Sequence, residues 1–156
     1  MHCLQISGFQ RTGKNIAIIG LGNWLVGRGY ELEPMSRIPP RGSRDNFRAV
    51  IKHPTLQKRV LLNTASDFEI NADQLLQFYL SHEPIDVLIT SIRDAGPERA
   101  AMENAIQQLR PIQTIEMPLA KISRRRRDDF DAALNNYEMR VELLCQFVLR
   151  GLPFQL

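Results

Sequence analysis

Two glycines and a lysine near the start of the chain, Gly8, Gly13 and Lys14, have the spacing G-x-x-x-x-G-K. Glycines at these positions let a loop curl so that its backbone N–H groups point at phosphate oxygens, and the lysine adds a mobile positive charge. A helix that follows such a loop offers the positive end of its dipole to the same anion. The spacing therefore predicts a loop that binds the phosphates of a nucleotide and consists of Gly8, Arg11, Thr12, Gly13, Lys14 and Asn15.

The residue after the lysine departs from this motif. A serine or threonine hydroxyl at that position binds Mg²⁺, and this chain has Asn15 instead. In the predicted loop, Lys14 contacts the β- and γ-phosphates, while Thr12, Gly13 and Asn15 offer backbone N–H groups. The alternative is an ordinary strand-to-helix turn that carries an exposed lysine.

A second motif overlaps the first. Gly20 and Gly22 follow an apolar run, as in the first turn of a dinucleotide-binding βαβ unit. That fingerprint requires a glycine or alanine where Leu25 stands, and it leaves only residues 23–28 for its helix. In this interpretation residues 16–23 form a strand and a turn, and the glycines contact a pyrophosphate. In the phosphate-loop interpretation they only let a helix pack closely.

The elements that must position these residues alternate along the chain. The hydrophobic patterns predict strands at residues 2–7, 30–33, 59–64, 85–92 and 112–117. They predict helices at residues 15–28, 71–81 with Asn71 as the cap, 97–109, and from Ser123 to near Gly151. The predicted apolar stripe of the last helix consists of Phe130, Leu134, Tyr137, Val141 and Leu144. Residues 46–57 are ambiguous, because Phe47, Val50 and Ile51 suit a helix that Pro54 would stop. The alternation predicts a three-layer α/β fold, with a mainly parallel sheet and helices on both faces.

Length and composition limit the class of protein. A chain of 156 residues with 44% apolar and 24% charged residues has the size and composition of one globular domain. No apolar run approaches the roughly 20 residues that a membrane span needs, and the first residues do not show the basic region followed by an apolar run that marks an export signal, so we expect neither. Cys3 and Cys145 have no metal-ligand spacing, and they could form a disulfide only if the two ends of the chain meet. We expect a cytoplasmic protein with two buried thiols.

The order of these segments resembles that of the ParA/MinD-type P-loop ATPases, which act in plasmid partition and related positioning tasks. Residues 8–14 match the phosphate loop of this family. Residues 59–65 resemble its strand that ends in an aspartate, and residues 87–90 and 112–118 resemble the next two core strands. The resemblance implies ATP as the nucleotide, a homodimer, and nucleic acid or a DNA-bound protein as partner, and it leaves the binding of Mg²⁺ open.

Three positions depart from that family. Its signature lysine falls at Phe9, its Mg²⁺-binding hydroxyl at Asn15, and its aspartate at Asn63. Amides neither bind Mg²⁺ strongly nor orient a hydrolytic water through it. The resemblance therefore implies a degenerate member that binds nucleotide with weak or no hydrolysis, and an accidental match is the alternative.

A basic cluster near residue 125 offers a function of another class. Four adjacent arginines and a nearby lysine can grip nucleic-acid backbone or an acidic protein. These residues are Lys121, Arg124, Arg125, Arg126 and Arg127. They predict a non-enzymatic interaction module that binds nucleic acid or protein. The alternative is a solvated charged turn, because Asp128 and Asp129 follow directly and partly neutralise the arginines.

The remaining candidates are single residues. Asp94 follows the strand at residues 85–92, at the end where ligands bind in open α/β sheets. Trp24, on an apolar helix, is expected to pack in the core or in an interface. The histidines are scattered and suggest no catalytic set, and they are His2, His53 and His82.

Overall fold

The computed structural model describes residues 1–10, 12–120 and 130–156. In these ranges the chain forms six strands and four helices. The strands are β1 (His2–Ser7), β2 (Glu31–Leu32), β3 (Arg48–Lys52), β4 (Arg59–Asn63), β5 (Val87–Ile92) and β6 (Gln113–Pro118). The helices are α1 (Lys14–Gly27), α2 (Ile70–Leu80), α3 (Pro97–Gln108) and α4 (Phe130–Arg150).

The strands form one sheet in the order β2-β3-β4-β5-β1-β6. The four strands β4, β5, β1 and β6 are parallel, and β3 pairs antiparallel with β4 and with β2. The predicted α/β fold with a mainly parallel sheet is confirmed. The ambiguous segment at residues 46–57 contains the strand β3, which pairs along its whole length with β4.

Helices cover both faces of the sheet, which explains why every residue of the central strand β5 is buried. On one face α1 and α4 pack together over side chains that include Leu4, Ile6, Leu62 and Ile89. On the other face α2 and α3 pack over side chains that include Cys3, Leu61, Leu88 and Ile92. Neighbouring residues of one strand thus enter different cores, as the alternation of a strand requires.

The two cysteines lie in different cores. Cys3 contributes to the layer under α2 and α3, whereas Cys145 contributes to the layer under α1 and α4. Both are buried free thiols, so the sheet separates them and the two ends of the chain do not form a disulfide. Burial raises the pKa of each thiol to about 12.

Residues 16–23 lie inside α1, so their interpretation as the strand and turn of a dinucleotide-binding unit is wrong. Gly22 packs against the sheet instead: a Cβ there would lie 2.8 Å from Cδ1 of Leu62 and 2.9 Å from Cδ1 of Ile38. A Cβ on Gly20 would lie 2.6 Å from a carboxylate oxygen of Glu142 on α4. The two glycines let α1 approach the sheet and its neighbouring helix closely.

Two details of the predicted helices are wrong. Asn71 does not cap α2, because the helix begins one residue earlier and Glu69 takes the cap position. Leu144 was predicted on the inner stripe of α4 and is 55% exposed. The inner row is Val141, Cys145 and Leu149, four residues apart, which turns Leu144 outward. Of the helices that the structure describes, none is long and apolar enough to cross a membrane.

Candidate phosphate-binding site

The loop between β1 and α1 has the backbone conformation that its glycines permit. Gly13 is the N-cap of α1 in the left-handed conformation, with φ of 87° and ψ of 10°. Within the described part of the chain no side chain caps this helix, and its first turn contains no acidic residue. The first backbone N–H groups of a helix have no partner within the helix. Those of α1 are therefore available to an anion.

The loop also closes on itself at its start. A Cβ on Gly8 would lie 2.7 Å from Oγ1 of Thr12 and 3.3 Å from the carbonyl oxygen of Leu119. The Thr12 hydroxyl donates to the carbonyl of Phe9 over 2.9 Å. Only glycine fits at position 8 without displacing this turn, as the motif requires.

Lys14 lies inside the loop. Its Nζ donates to the carbonyl oxygens of Gly8 and Phe9, each over 2.8 Å, and the residue is only 5% exposed. Lys14 is therefore not the exposed lysine of the alternative interpretation. Two of the three N–H donors of the ammonium are used, and the third makes no hydrogen bond to a described residue. Burial lowers the pKa of Lys14.

Three charged residues from neighbouring strand ends act on Lys14. The carboxylates of Asp67 and Asp94 raise its pKa and the guanidinium of Arg93 lowers it, each by less than burial does. Arg93 and Asp94 directly follow β5, and Asp67 follows β4, so all three lie at the carboxyl edge of the parallel strands. Arg93 Nη1 lies 3.2 Å from Oδ1 of Asp67.

The structure thus brings the predicted residue Asp94 to the same edge as the loop, together with two residues that the sequence analysis missed. The signal for Asp67 and Arg93 was their place just behind two apolar strands, where ligands bind in open α/β sheets. This position alone could not place the two residues beside the loop, because the order of strands in the sheet decides which strand ends are neighbours.

Beneath this edge a buried polar network ties β4 to β5. The amide Nδ2 of Asn63 donates to Oγ1 of Thr90 over 2.8 Å and to the carbonyl of Ala65 over 3.1 Å. The Ser91 hydroxyl bonds the Ser66 hydroxyl over 2.9 Å. An ionised aspartate at position 63 could not donate to a carbonyl, so the amide has a structural role here. Asn63 Oδ1 is buried and has no partner among the described residues.

Asn15 turns away from the loop. Its Nδ2 donates to the carbonyl of Arg44 over 2.9 Å and to Oδ1 of Asn46 over 3.1 Å, which ties α1 to the segment before β3. Mg²⁺ needs carboxylate, hydroxyl or carbonyl oxygens. The side chain of Asn15 is held away from the loop by these hydrogen bonds, and the neutral amide of Asn63 lacks the negative charge with which an aspartate organises Mg²⁺ and water. Within the ranges that the structure describes, no group of three histidine, cysteine or acidic residues could hold a metal ion.

A small cleft lies between the loop and α4. It is lined by Thr12, Gly13, Ala17, Leu119, Tyr137, Glu138 and Val141, and its volume of about 10 Å³ holds roughly one water. A pocket for a small organic ligand is at least about 300 Å³. This cleft therefore cannot hold a nucleoside. Burial beside it raises the pKa of Glu138.

The other predicted residues are Arg11, the basic cluster, Trp24 and the histidines. Arg11 lies outside the described residues, and so does the basic cluster, which consists of Lys121, Arg124, Arg125, Arg126 and Arg127. Trp24 packs half-buried against the core, with the guanidinium carbons of Arg28 and Arg150 5.2 and 5.6 Å from its ring centroid. The histidines contact separate aromatic rings: His2 packs on Phe154, His53 on Tyr30 and His82 on Phe78.

Neither a protein-family model, nor a curated protein, nor a solved structure matches this chain. The similarity of the segment order to the ParA/MinD-type ATPases therefore stays a prediction.

Proposed function

We propose that the protein binds a nucleotide by its phosphates, through the loop formed by residues 8–15, and hydrolyses it weakly or not at all. The observation that carries the proposal is the position of Lys14. Its ammonium is buried in the loop, held by two backbone carbonyls, and it lies at the uncapped start of a helix. Burying a lysine is costly unless its charge has partners. A phosphate would be the natural third partner, because it also accepts the free N–H groups of the helix start.

The roles of the residues follow from this geometry. The backbone N–H groups of Thr12, Gly13 and Asn15 would bind phosphate oxygens, and the Lys14 ammonium would contact the β- and γ-phosphates. Weak hydrolysis is proposed because neutral amides stand where the motif has a hydroxyl and a carboxylate, and because the side chain of Asn15 is held away from the loop. ATP as the nucleotide, a partition-type role, a homodimer and a DNA-bound partner come from the family resemblance and belong to the same proposal.

Ligand-induced stabilisation tests the proposal. A ligand at 100 times its dissociation constant stabilises the folded state by about 2.7 kcal/mol. For a chain of this size that corresponds to a Tm increase of about 5–10 °C. We expect ATP, ADP and inorganic tripolyphosphate to raise the Tm of the wild type, with or without Mg²⁺.

The matched control is another lysine of the same sheet. Lys52 pairs with Arg59, at the end of β4 away from Asn63, so it lies at the opposite edge from the loop. Lys14→Ala should lose the Tm increase and Lys52→Ala should keep it. If no phosphate compound shifts the Tm of the wild type, the proposed function is wrong.

A further inference from the structure

The loop lies beside a second cation, Arg93, and most N–H donors of its guanidinium have no hydrogen-bond acceptor among the described residues. Ser7 at the end of β1 is aligned with Ile92 at the end of β5, and the N–H of Gly8 donates to the carbonyl of Ile92 over 3.3 Å. Arg93 therefore leaves the sheet next to the residue that starts the loop. We propose that Arg93 binds the terminal phosphate of a nucleoside triphosphate, and that Asp67 holds Arg93 until that phosphate arrives. This inference rests on the proposed function.

The hydrogen bonds of Arg93 are incomplete. A guanidinium carries five N–H donors. Among the described residues, the side chain of Arg93 donates only to Asp67, over 3.2 Å, and its Nε is buried without a partner. The side chain is 22% exposed, so water can satisfy only part of it. Two parallel N–H groups of a guanidinium match two phosphate oxygens, so a phosphate would supply the missing acceptors.

The backbone of Arg93 is held by the elements around it. Nη1 of Arg99, on α3, donates to the carbonyl of Arg93 over 3.1 Å. Arg99 is itself paired with Glu116 on β6 over 2.9 Å and with Glu103 over 2.8 Å. A residue that binds a ligand from a rigid support loses little conformational freedom on binding. Arg93 is thus supported from the sheet and from α3, while its side chain keeps open donors.

The charges around the loop indicate why the terminal phosphate is the one bound. Lys14 and the start of α1 form one side of the site, and Arg93 approaches it from the neighbouring strand β5. Arg93 is close enough for its charge to lower the pKa of Lys14. Two cations that repel each other are stabilised by an anion that both contact. A diphosphate would contact the loop and Lys14, whereas a third phosphate would contact Lys14 and Arg93 together.

The ion pair with Asp67 gives this contact a second consequence. Asp67 is 35% exposed and competes with the phosphate for the same guanidinium. A triphosphate must therefore displace Asp67 or share the guanidinium with its negative charge, and either weakens triphosphate binding in the wild type. Removing the negative charge of Asp67 should therefore strengthen triphosphate binding more than diphosphate binding, which it changes only through the effect of Asp67 on Lys14.

The test compares the dissociation constants of ADP and of a non-hydrolysable ATP analogue, measured by calorimetry in EDTA. Arg93→Ala should weaken binding of the ATP analogue about 10- to 100-fold, since hydrogen bonds to charged groups are the stronger kind. It should change ADP binding by less than about 2-fold. Asp67→Asn should strengthen binding of the ATP analogue severalfold. Arg110→Ala is the control, because Arg110 lies between α3 and β6 at the opposite edge of the sheet.

Three results would overturn the inference. Equal losses for ADP and for the ATP analogue in Arg93→Ala would mean that Arg93 only supports the loop. Unchanged binding of both would mean that it contacts neither. If Arg93→Ala does not fold, unchanged or weaker binding of the ATP analogue by Asp67→Asn overturns the inference. The proposed function fails in a different way, because the wild type would then bind neither nucleotide.

Discussion

Replacing Gly13 by alanine should destabilise the protein for a reason that lies in the backbone alone. Gly13 has φ of 87°, and the nearest atom to an added Cβ is Oε1 of Glu138, at an ordinary contact distance of 3.7 Å. Space is therefore not the cause. An L-residue in the left-handed conformation costs about 1–2 kcal/mol. Alanine also lowers the conformational entropy of the unfolded chain, and this stabilises the folded state by about 0.4–1 kcal/mol relative to glycine. The expected net loss is about 1 kcal/mol.

Gly27 provides the matched control at the other end of the same helix. Nothing lies within 4 Å of a Cβ on Gly27, and its φ is not positive. Gly27→Ala should therefore stabilise the protein by about 0.5–1 kcal/mol, through helix propensity and unfolded-state entropy. The free energy of unfolding of Gly13→Asn should be close to that of the wild type, because asparagine tolerates the left-handed conformation better than alanine does.

Urea unfolding followed by circular dichroism measures these differences. The two alanine variants should differ by about 1.5–2 kcal/mol in the free energy of unfolding, or by about 3–8 °C in Tm. The order expected is Gly27→Ala above wild type, and wild type above Gly13→Ala. If Gly13→Ala is as stable as Gly27→Ala, residue 13 does not adopt the left-handed conformation, and the curled loop is wrong.

Three further predictions concern the scaffold. Glu33→Gln should cost about 1 kcal/mol at neutral pH, because Glu33 accepts two hydrogen bonds of 2.7 Å from Arg59. The hydrogen bond from Arg59 lowers the pKa of Glu33 from its ordinary value. This stability is therefore lost as pH falls through the lowered pKa, and urea titrations should show a smaller loss of unfolding free energy in acid for the variant than for the wild type. Gly22→Val should cost about 2–3 kcal/mol by overpacking and leave nucleotide affinity unchanged; a selective loss of binding would contradict the helical position of this residue. Cys3 and Cys145 should react with a thiol reagent only after unfolding, since burial raises the pKa of both, and rapid reaction of the native protein would contradict their burial.

The sequence predicts those elements whose signals are local. β5 is a short apolar run, and α3 begins with a proline in its first turn, so both match closely. β3 escapes prediction, because its few apolar residues suit a helix or a strand and the partner that decides between them is β4. The buried face of α4 contains Cys145 and not the predicted Leu144, for a similar reason. Leu144 and Cys145 are adjacent and both apolar, and only the position of α1 decides which one is buried.

The same distinction applies to the site. The loop is contiguous in sequence, so its glycines and Lys14 could be predicted from spacing alone. Asp67 and Arg93 lie far from the loop in sequence and reach it only because β5 is inserted between β4 and β1. The structural roles of Asn15 and Asn63 also depend on partners from other segments. Spacing could not show that these amides were already engaged.

Equilibrium binding of a fluorescent, non-hydrolysable ATP analogue tests the central claim most directly. The proteins to compare are the wild type, Lys14→Ala and Lys52→Ala, each with Mg²⁺ and with EDTA. We expect the wild type and Lys52→Ala to bind alike, Lys14→Ala to bind at least about 10-fold more weakly, and EDTA to change little. Equal binding by Lys14→Ala, or no binding by the wild type, would contradict the account of residues 8–15 as a phosphate-binding loop.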